Sequence, residues 1–403
     1  MKILYVMPLV VGLEDILKGD EESKGLPSMI LPMEKLLEQG HQIDVILISN
    51  YQGEYNIKNS KLQKMRILVN INNDLVNTNK LIKIIRKFKS AVQEVFEVHR
   101  AIKREKYDIV FCHGTASVLA NIVANANGIS CVYRLYGTVE LYSDLCRYKG
   151  LLGVFRHLVY YVIFKLPKYC IIATDEGSHT DKVYNLWKPH KKAYHFFHLL
   201  NGVDVQNICN LRNELYNIPD KPYLFMAGRV TDVKNQSFAI RLVHELEKDG
   251  VDIDLFLAGH IDNQYYLKLQ KLISDFKLND KVHFMGAVSR DYLKLMGYYS
   301  RACVIWDDFC QNSNVFYELY STGCIIVSAD DGSLDRFVEN QKSAFLVKDV
   351  YEAVDYVKHI MELDDADREA IRESAIEKAS RILMTWDERV ETEINILKEA
   401  CNK

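Results

Sequence analysis

The chain has 403 residues, of which 48% are hydrophobic and 26% are charged, and its formal net charge is −3. A single hydrophobic core rarely grows to this size, so two domains of about 200 residues each are predicted. The charge excludes the basic excess of a nucleic-acid-binding protein, and nine scattered cysteines without a CxxC pair argue against a disulfide framework or a zinc site.

The chain begins with an apolar stretch, residues 3–11, that is too short for a signal peptide and has no small-residue cleavage site. This favours a cytoplasmic protein. The most apolar segment, 151–164, contains Arg156 and His157, and a membrane span needs roughly 20 apolar residues. We therefore predict that this segment forms a buried or surface-docking helix.

Both halves of the chain alternate short apolar runs with amphipathic helical patterns. Continuous apolar strands between helices predict a parallel sheet covered on both faces, and two such sheets make two Rossmann-like domains. The predicted strands are KILYVMPL, IDVILIS, YDIVFCHG, SCVYRLYG and YCIIATDEG in the first half, and YLFMAGR, DIDLFLAG, KVHFMG, CVIWDD, CIIVSAD and AFLV in the second.

The domain boundary is predicted just after NGVD, residues 201–204, in a polar segment in which Pro219 and Pro222 precede the next strand. The first domain then covers 1–205 and the second begins at 206. Ligands of such sheets lie beyond the carboxyl ends of the strands, so the loops after the strands carry the candidate residues.

Two loops of the second half have features of an anion site. Arg229 and Lys234 follow a strand and precede a helix, where cations and unpaired N–H groups act together on an anion. Farther along, NSNVFYELYSTG predicts a helix start suited to a phosphate, with Glu318 one turn in, placed to accept hydrogen bonds from a ribose diol. The plain structural alternatives are two solvated cations, and a capping Ser313 with an exposed helical glutamate.

Polar side chains also end the strands of the first half, and these are expected to project toward the same rim as the loops of the second. Ordinary helix capping is the alternative for each of them: His113, Tyr136, Asp175 and Glu176. In the second half, Asp307 and Asp308 end a strand without a third ligand at useful spacing, so they are interpreted as loop carboxylates and no metal site is predicted.

Residues 80–106 predict a long amphipathic helix in which nine cations outnumber three acids. One helical face is apolar and consists of Leu81, Ile85, Phe88, Val92, Val95 and Ile102. Two interpretations stay open: a basic helix that lies on an anionic membrane surface, or a domain helix with a solvated basic face.

Together these residues resemble the retaining GT-B glycosyltransferases, in particular family four, the group 1 type. The likeness runs over almost the whole chain and lies in MKILYVMP, EQGHQIDVI, NGVD, GRVTDVKN, FLAG, VHFMGAV and NVFYELYSTG. It implies an α/β GT-B fold, in which two Rossmann-like domains with parallel sheets face each other across a cleft. The first would bind the acceptor, the second (206–380) the nucleotide sugar, and the helix in 381–403 would cross back to the first.

The resemblance implies a retaining, metal-independent hexosyltransferase that uses no cofactor. Its donor would be a nucleotide-diphosphate hexose or N-acetylhexosamine, with UDP preferred, and its acceptor a glycan or a lipid-linked glycan, as in polysaccharide assembly. The residues themselves give the location and the partners: the scattered cysteines suit a reducing cytoplasm, and the net charge predicts no nucleic-acid partner. If 80–106 lies on a membrane, the contact is expected to be peripheral, at the inner face.

The resemblance also assigns roles to residues. Arg229 and Lys234 would stabilise the departing pyrophosphate, and Glu318 would hold the ribose; these three are the catalytic candidates. The donor-binding candidates are Gly25, Gly228, Gly259, Gly286, Val288, Ser313, Asn314 and Val315, with Glu318. The candidates for the sugar or acceptor pocket are His113, Tyr136, Asp175, Glu176, Asp307, Asp308 and Cys310.

The chain departs from the family pattern at three positions. Cys310 stands where the family has its first acid, Tyr136 where a histidine is common, and Gly25 where a double glycine is usual. An uncharged thiol is a weak hydrogen-bonding group and does not stabilise an oxocarbenium-like centre as a carboxylate does. Two interpretations follow: an active enzyme in which the donor phosphate assists the acceptor hydroxyl, or a degenerate protein that binds nucleotide or a partner glycosyltransferase without turnover.

Overall fold

The chain divides into two compact units, one of Met1–Gly202 with Trp386–Lys403 and one of Val203–Thr385. The computed structural model describes residues 1–21, 27–51, 53–72, 80–138, 140–189, 194–204, 208 and 216–402. The predicted boundary between 205 and 206 lies outside the described residues.

The first unit is built on a seven-stranded parallel sheet with the order β3-β2-β1-β4-β5-β6-β7. Its strands are β1 (Lys2–Pro8), β2 (Gln42–Ser49), β3 (Arg66–Asn72), β4 (Ile109–His113), β5 (Ser130–Leu135), β6 (Cys170–Thr174) and β7 (His195–Leu199). The five strands predicted in this half are confirmed. The two that were not predicted, β3 and β7, are the edge strands, and their side chains are mostly half-buried rather than continuously apolar.

Helices cover both faces of this sheet, and apolar cores lie on each side of it. They are α1 (Val11–Lys18), α2 (Pro27–Glu38), α3 (Lys80–Arg104), α4 (Val118–Ala126), α5 (Leu141–Arg147), α6 (Leu151–Arg156), α7 (Leu158–Lys165) and α8 (Thr180–Trp187). In the part of the chain that the structure describes, no helix is both long and apolar enough to cross a bilayer.

The segment 151–164, predicted to be a buried or surface-docking helix, is helical but is divided into α6 and α7. His157 has φ −120° and ψ 38°, and it ends α6 and precedes α7. Its Nε2 lies 2.9 Å from Oδ2 of Asp144, a side-chain contact that accompanies the break. Leu151, Leu152 and Phe155 on α6 are exposed, whereas Val154 packs against the core. On α7, Tyr160 and Tyr161 also pack against the core, and Ile163 and Phe164 are fully buried.

The second unit is built on a six-stranded parallel sheet with the order β10-β9-β8-β11-β12-β13. Its strands are β8 (Tyr223–Ala227), β9 (Asp254–Ala258), β10 (Val282–Gly286), β11 (Ala302–Ile305), β12 (Ile326–Ala329) and β13 (Phe345–Val347). All six were predicted from their continuous apolar runs. The helices are α9 (Gln236–Lys248), α10 (Asn263–Asp275), α11 (Arg290–Tyr299), α12 (Asn314–Ser321), α13 (Val350–Glu362) and α14 (Asp365–Ile382).

The last helix, α15 (Trp386–Cys401), belongs to the first unit and is joined to its core by buried charges. Oε2 of Glu393 lies 2.9 Å from Nη2 of Arg389 and 3.4 Å from Nε of Arg134 on β5, and all three residues are buried. Arg389 also donates to the carbonyl oxygen of Leu200 at 2.9 Å. Removing one partner from such a buried cluster leaves an uncompensated charge, which is why these contacts fix the helix in place.

Candidate functional site

Three glycines at the carboxyl ends of β8, β9 and β10 bring neighbouring loops into contact. Gly228 donates its N–H to the carbonyl oxygen of Ala258 at 2.9 Å, and Gly259 donates to that of Gly286 at 2.7 Å. Gly259 has φ +147°, and a Cβ on it would lie 1.9 Å from the carbonyl oxygen of Gly228. Only glycine therefore fits at Gly259, both because of its backbone conformation and because of this close approach.

Arg229 and Lys234 lie on the loop between β8 and α9. Arg229 is exposed, and Lys234 ends a 3₁₀ turn, Asp232–Lys234, just before the helix begins. The Lys234 stem passes beside Gly228, since its Cδ lies 3.7 Å from the position of a Cβ on that glycine. The loop thus holds both cations at a helix start, on the edge where the four strands β10, β9, β8 and β11 end side by side.

The ammonium group of Lys234 forms an ion pair with the carboxylate of Asp307, which follows β11. Asn235 donates to Oδ1 of Asp308 at 3.1 Å, so the same two loops meet twice. Burial raises the pKa of Asp307, and Lys234 opposes that shift. The sequence analysis missed this pairing, although opposite charges after strands that proved to be neighbours are a signal for it.

Hydrogen bonds within the loop between β11 and α12 stabilise its conformation. Gln311 is buried, accepts from the Asp307 N–H at 2.8 Å and donates to its carbonyl oxygen at 2.8 Å. Cys310 is partly exposed, and its thiol lies 3.8 Å from the carbonyl oxygen of Asn312. The cysteine is therefore held in a fixed loop between Asp307 and the helix start.

The start of α12 is capped by Ser313, whose Oγ accepts the N–H of Phe316 at 3.3 Å. Asn314 is exposed and Val315 is half-buried at the first turn. A capped helix start presents further N–H groups and the positive end of the helix dipole, which is the arrangement that favours a phosphate.

Glu318 lies farther along α12 with a side chain that is 12% exposed. Its Oε1 is 3.9 Å from Nε of Arg290, whose Nη1 is 3.2 Å from Oδ2 of Asp204. The buried Lys294 donates to the carbonyl oxygen of Asp204 at 3.1 Å. Burial raises the pKa of Glu318, and the charges of Arg290 and Lys294 oppose the shift.

Arg290 and Lys294 were missed by the sequence analysis. They stand four residues apart on α11, which follows the turn from Gly286 to Val288 after β10. Their spacing places both on one helical face, and that face is the one that reaches Glu318 and Asp204. A pair of cations at this spacing, directly after a strand-end turn, is the signal that identifies them.

In the first unit, two of the predicted pocket residues are in direct contact. Nδ1 of His113 lies 2.7 Å from the hydroxyl of Tyr136, and the guanidinium of Arg134 lies 4.6 Å from the centre of the Tyr136 ring. Burial lowers the pKa of His113 strongly, and the charge of Arg134 lowers it further. His113 is 2% exposed, so its environment is more enclosed than a rim position predicts.

Asp175 and Glu176 follow β6, next to the loop that contains Tyr136. A Cβ on Gly137 would lie 2.1 Å from Oε1 of Glu176, so the carboxylate rests against that glycine. Oδ1 of Asp175 lies 3.7 Å from Nε2 of His198. The ends of β4, β5 and β6 thus bring all four predicted residues of this unit to one edge of its sheet.

Gly25 lies outside the described residues. Among the residues that the structure does describe, no three or more His, Cys, Asp or Glu side chains are grouped so that they could hold a metal ion. Metal independence stays a prediction.

Comparison with solved structures defines the fold. Sucrose-phosphate synthase from Thermosynechococcus elongatus is similar with a TM-score of 0.70 at 16% identity, over 98% of each chain. Anabaena Alr3699/HepE in complex with UDP is similar with a TM-score of 0.68 at 14% identity, over 99% of this chain and 100% of that one. The two parallel sheets with flanking helices match GT-B glycosyltransferase structures, and the chain has the GT-B fold.

The sequence comparisons concern mainly the second unit. Residues 210–379 match the family model described as glycosyl transferases group 1. A curated relative, alpha-D-kanosaminyltransferase from Streptomyces kanamyceticus, is 24% identical over 189 residues, and the match spans 46% of this chain and about half, 48%, of the relative. The second unit is therefore similar to the group 1 glycosyl transferases.

We expect Gly259→Ala to destabilise the second unit by about 2 kcal/mol more than Gly250→Ala does, because strain and a backbone clash then add. Gly250 is the matched control: it has φ +80°, and a Cβ there meets nothing within 4 Å. Urea unfolding measures both variants against the wild type. Equal losses would contradict the close packing of the loops after β8 and β9.

We expect Glu318→Gln to raise the melting temperature of the ligand-free protein at pH 7. Burial raises the pKa of Glu318, so ionisation of this group costs folding free energy at neutral pH. The gain should be present above the raised pKa and should vanish below about pH 4, where a glutamate is protonated in both states. Glu369→Gln, on the exposed side of α14, is the control; a gain independent of pH would contradict the argument.

Proposed function

We propose that this protein is a retaining, metal-independent glycosyltransferase. It moves a hexose or N-acetylhexosamine from a nucleotide-diphosphate sugar, with UDP as the nucleotide, to a glycan or lipid-linked acceptor. Support comes from the match of the second unit to the group 1 family model, and from a solved neighbour of the same fold, Anabaena Alr3699/HepE, which was determined in complex with UDP.

The observation that carries the proposal is the grouping of anion-binding elements at one sheet edge. Arg229, Lys234 and the capped start of α12 follow the adjacent strands β8 and β11. Two cations and a helix start suit the two negative phosphates of a diphosphate, and they provide fixed positive charge where a leaving group develops negative charge.

The proposed role of Glu318 is to hold the ribose. Its carboxylate is nearly buried, and Arg290 and Lys294 favour its charged form. A carboxylate that has already lost most of its water makes stronger hydrogen bonds to a diol. The glycine turn from Gly286 to Val288 would face the base, at the end of the sheet edge beyond the phosphates.

In the proposed reaction, the bond between the anomeric carbon and the diphosphate oxygen breaks, and the acceptor hydroxyl forms a new bond on the same face of the sugar. The hydroxyl proton passes to the donor phosphate, which leaves as the nucleoside diphosphate. Arg229 and Lys234 stabilise the charge of the leaving group, and no protein nucleophile is required. Cys310 contributes no charge to this step.

The ion pair between Lys234 and Asp307 gives the ligand-free site a defined state. The Asp307 carboxylate neutralises the ammonium group that a phosphate oxygen would otherwise meet. Donor binding therefore exchanges one negative partner of Lys234 for another, and it releases Asp307 toward the transferred sugar. On the first unit, His113, Tyr136, Asp175 and Glu176 are proposed to bind the acceptor.

Cys310 supports one alternative, a degenerate protein that binds nucleotide or a partner glycosyltransferase without turnover. The two functions differ in the role of the protein residues that would contact the phosphates and the ribose. In an enzyme they support turnover, whereas in a degenerate protein they support binding alone.

We expect nucleotide release from one sugar nucleotide, in the presence of EDTA and a suitable acceptor glycan, when UDP- and GDP-linked hexoses and N-acetylhexosamines are compared. Arg229→Ala or Lys234→Ala should lower turnover by about 10²- to 10³-fold, because each removes charge stabilisation from the leaving group. Cys310→Ser, the matched control within the same site, should stay within a few-fold of the wild type.

Nuclear magnetic resonance of the product should show the anomeric configuration of the donor. Equal losses in all three variants would contradict the role given to Cys310, and an inverted product would contradict the proposed step. Nucleotide binding without turnover for every donor and acceptor would favour the degenerate alternative.

A further inference from the structure

Helix α3 turns its apolar side chains away from the unit to which it belongs. Phe88 is 72% exposed and Ile85 is 58% exposed. Ile82 is exposed as well. Six other exposed apolar residues share one side of the helix, which we call the outward face: Ile84, Ile85, Phe88, Val92, Val95 and Phe96. A surface helix of a globular protein normally presents its polar side to water and its apolar side to the core.

The opposite side of α3 packs against the unit, and it is the more polar one. Its buried residues are Ser90, Glu94, Val98 and Ala101. The carboxylate of Glu94 accepts the backbone N–H of Ala120 at 2.9 Å, which attaches the middle of α3 to α4. Burial raises the pKa of Glu94 to about 8. The helix therefore has a fixed rotation in which a glutamate is inside and a phenylalanine is outside.

The turns of α3 from Ile82 to Lys89 have no buried side, because every side chain in them is exposed. A helix that follows a parallel strand runs back along the sheet, so its first turns lie at the carboxyl edge, where β4, β5 and β6 also end. These turns extend beyond the packed part of the helix, which begins at Ser90.

The charge of the same segment has one sign. Between Lys80 and Gln93 the sequence contains five cations and no acid. Lys83, Lys87 and Lys89 are exposed in these turns. With 3.6 residues per turn, Lys89 lies beside the outward face, whereas Lys83 has the phase of Ser90 and Ala101 on the opposite side. Exposed apolar side chains and lysines on the same turns are the composition of a helix that lies in the interface of an anionic membrane.

A second segment of the first unit repeats this composition. Leu151, Leu152 and Phe155 on α6 are exposed, and Leu158 and Val159 at the start of α7 are exposed as well. The exposed cations Arg147, Lys149 and Arg156 accompany them. Exposed apolar groups of this size are rare on a free protein surface and mark an interaction site.

We propose that the outward face of α3, together with the exposed side of α6, docks on an anionic lipid surface. The positive charge of this segment favours an anionic lipid over a second copy of the chain as the partner. Two copies would bring the lysine-rich segments of α3 together, and these repel each other. The docked orientation directs the carboxyl edge of the first unit toward the lipid. The inference is independent of the proposed function, since lipid binding is measured without any sugar.

Cosedimentation with vesicles tests this inference. The full-length protein should bind phosphatidylcholine vesicles that contain phosphatidylglycerol, bind pure phosphatidylcholine at least tenfold more weakly, and lose affinity as salt rises. Phe88→Ser should weaken binding about tenfold or more, because the variant loses the transfer of an aromatic ring from water into the lipid. Lys87→Gln should weaken binding about fivefold, the effect of one charge near an anionic surface. Phe155→Ser should also weaken binding.

The chain offers matched controls in the second unit. Leu267 on α10 is 68% exposed, and Lys271 on the same helix is exposed too, so Leu267→Ser and Lys271→Gln repeat the two chemical changes away from the proposed face. Both should leave vesicle binding unchanged. Circular dichroism checks that every variant is folded.

Three results would overturn the inference. One is the absence of binding to anionic vesicles. Another is equal weakening by Phe88→Ser and Leu267→Ser. A third is concentration-dependent dimerisation in analytical ultracentrifugation that Phe88→Ser abolishes while vesicle binding is unaffected; this would assign the outward face to a second copy of the chain.

Discussion

The candidate site depends on the ion pair between Lys234 and Asp307. Their loops follow β8 and β11, which are neighbours in the second sheet although 73 residues separate the two side chains in the sequence. The pair holds the two loops together before any ligand is present, and it keeps a buried carboxylate and a partly buried ammonium group from being unpaired, which would be costly. In the proposed function, a diphosphate would therefore bind to loops that are already in place, and Lys234 would exchange Asp307 for a phosphate oxygen.

Two features of the same region lower the stability of the folded protein. Glu318 is nearly buried, and burial raises its pKa despite Arg290 and Lys294. Gly259 has a backbone conformation and a close contact that no other residue tolerates. Both features lower the free energy of unfolding. Both are useful if the loops must approach a ligand closely and present a charged group to it. Strain and buried charge of this kind concentrate at functional sites.

Continuous apolar runs predicted eleven strands and their parallel arrangement, because buried strands of a parallel sheet carry that pattern on both faces. The edge strands β3 and β7 were not predicted, because half-buried strands do not have a continuous apolar run. Arg229 and Lys234 were located from their position after a strand, and the loop glycines were located through the family resemblance. The residues that pair with Lys234 and Glu318 were not predicted. The order of the strands in the sheet decides which loops come into contact, and that order cannot be read from a single sequence. The apolar side of α3 was recognised, but whether it faces the core or the solvent depends on the packing at Glu94.

Calorimetric titration of the metal-free protein with UDP, GDP and ADP tests the central claim, that the second unit binds a nucleoside diphosphate through its cations and Glu318. The account predicts binding of one nucleotide, UDP, in EDTA, and about tenfold weaker binding after Glu318→Ala, because hydrogen bonds to a charged group are lost. Failure of all three nucleotides to bind, or equal affinity in the wild type and Glu318→Ala, would contradict it.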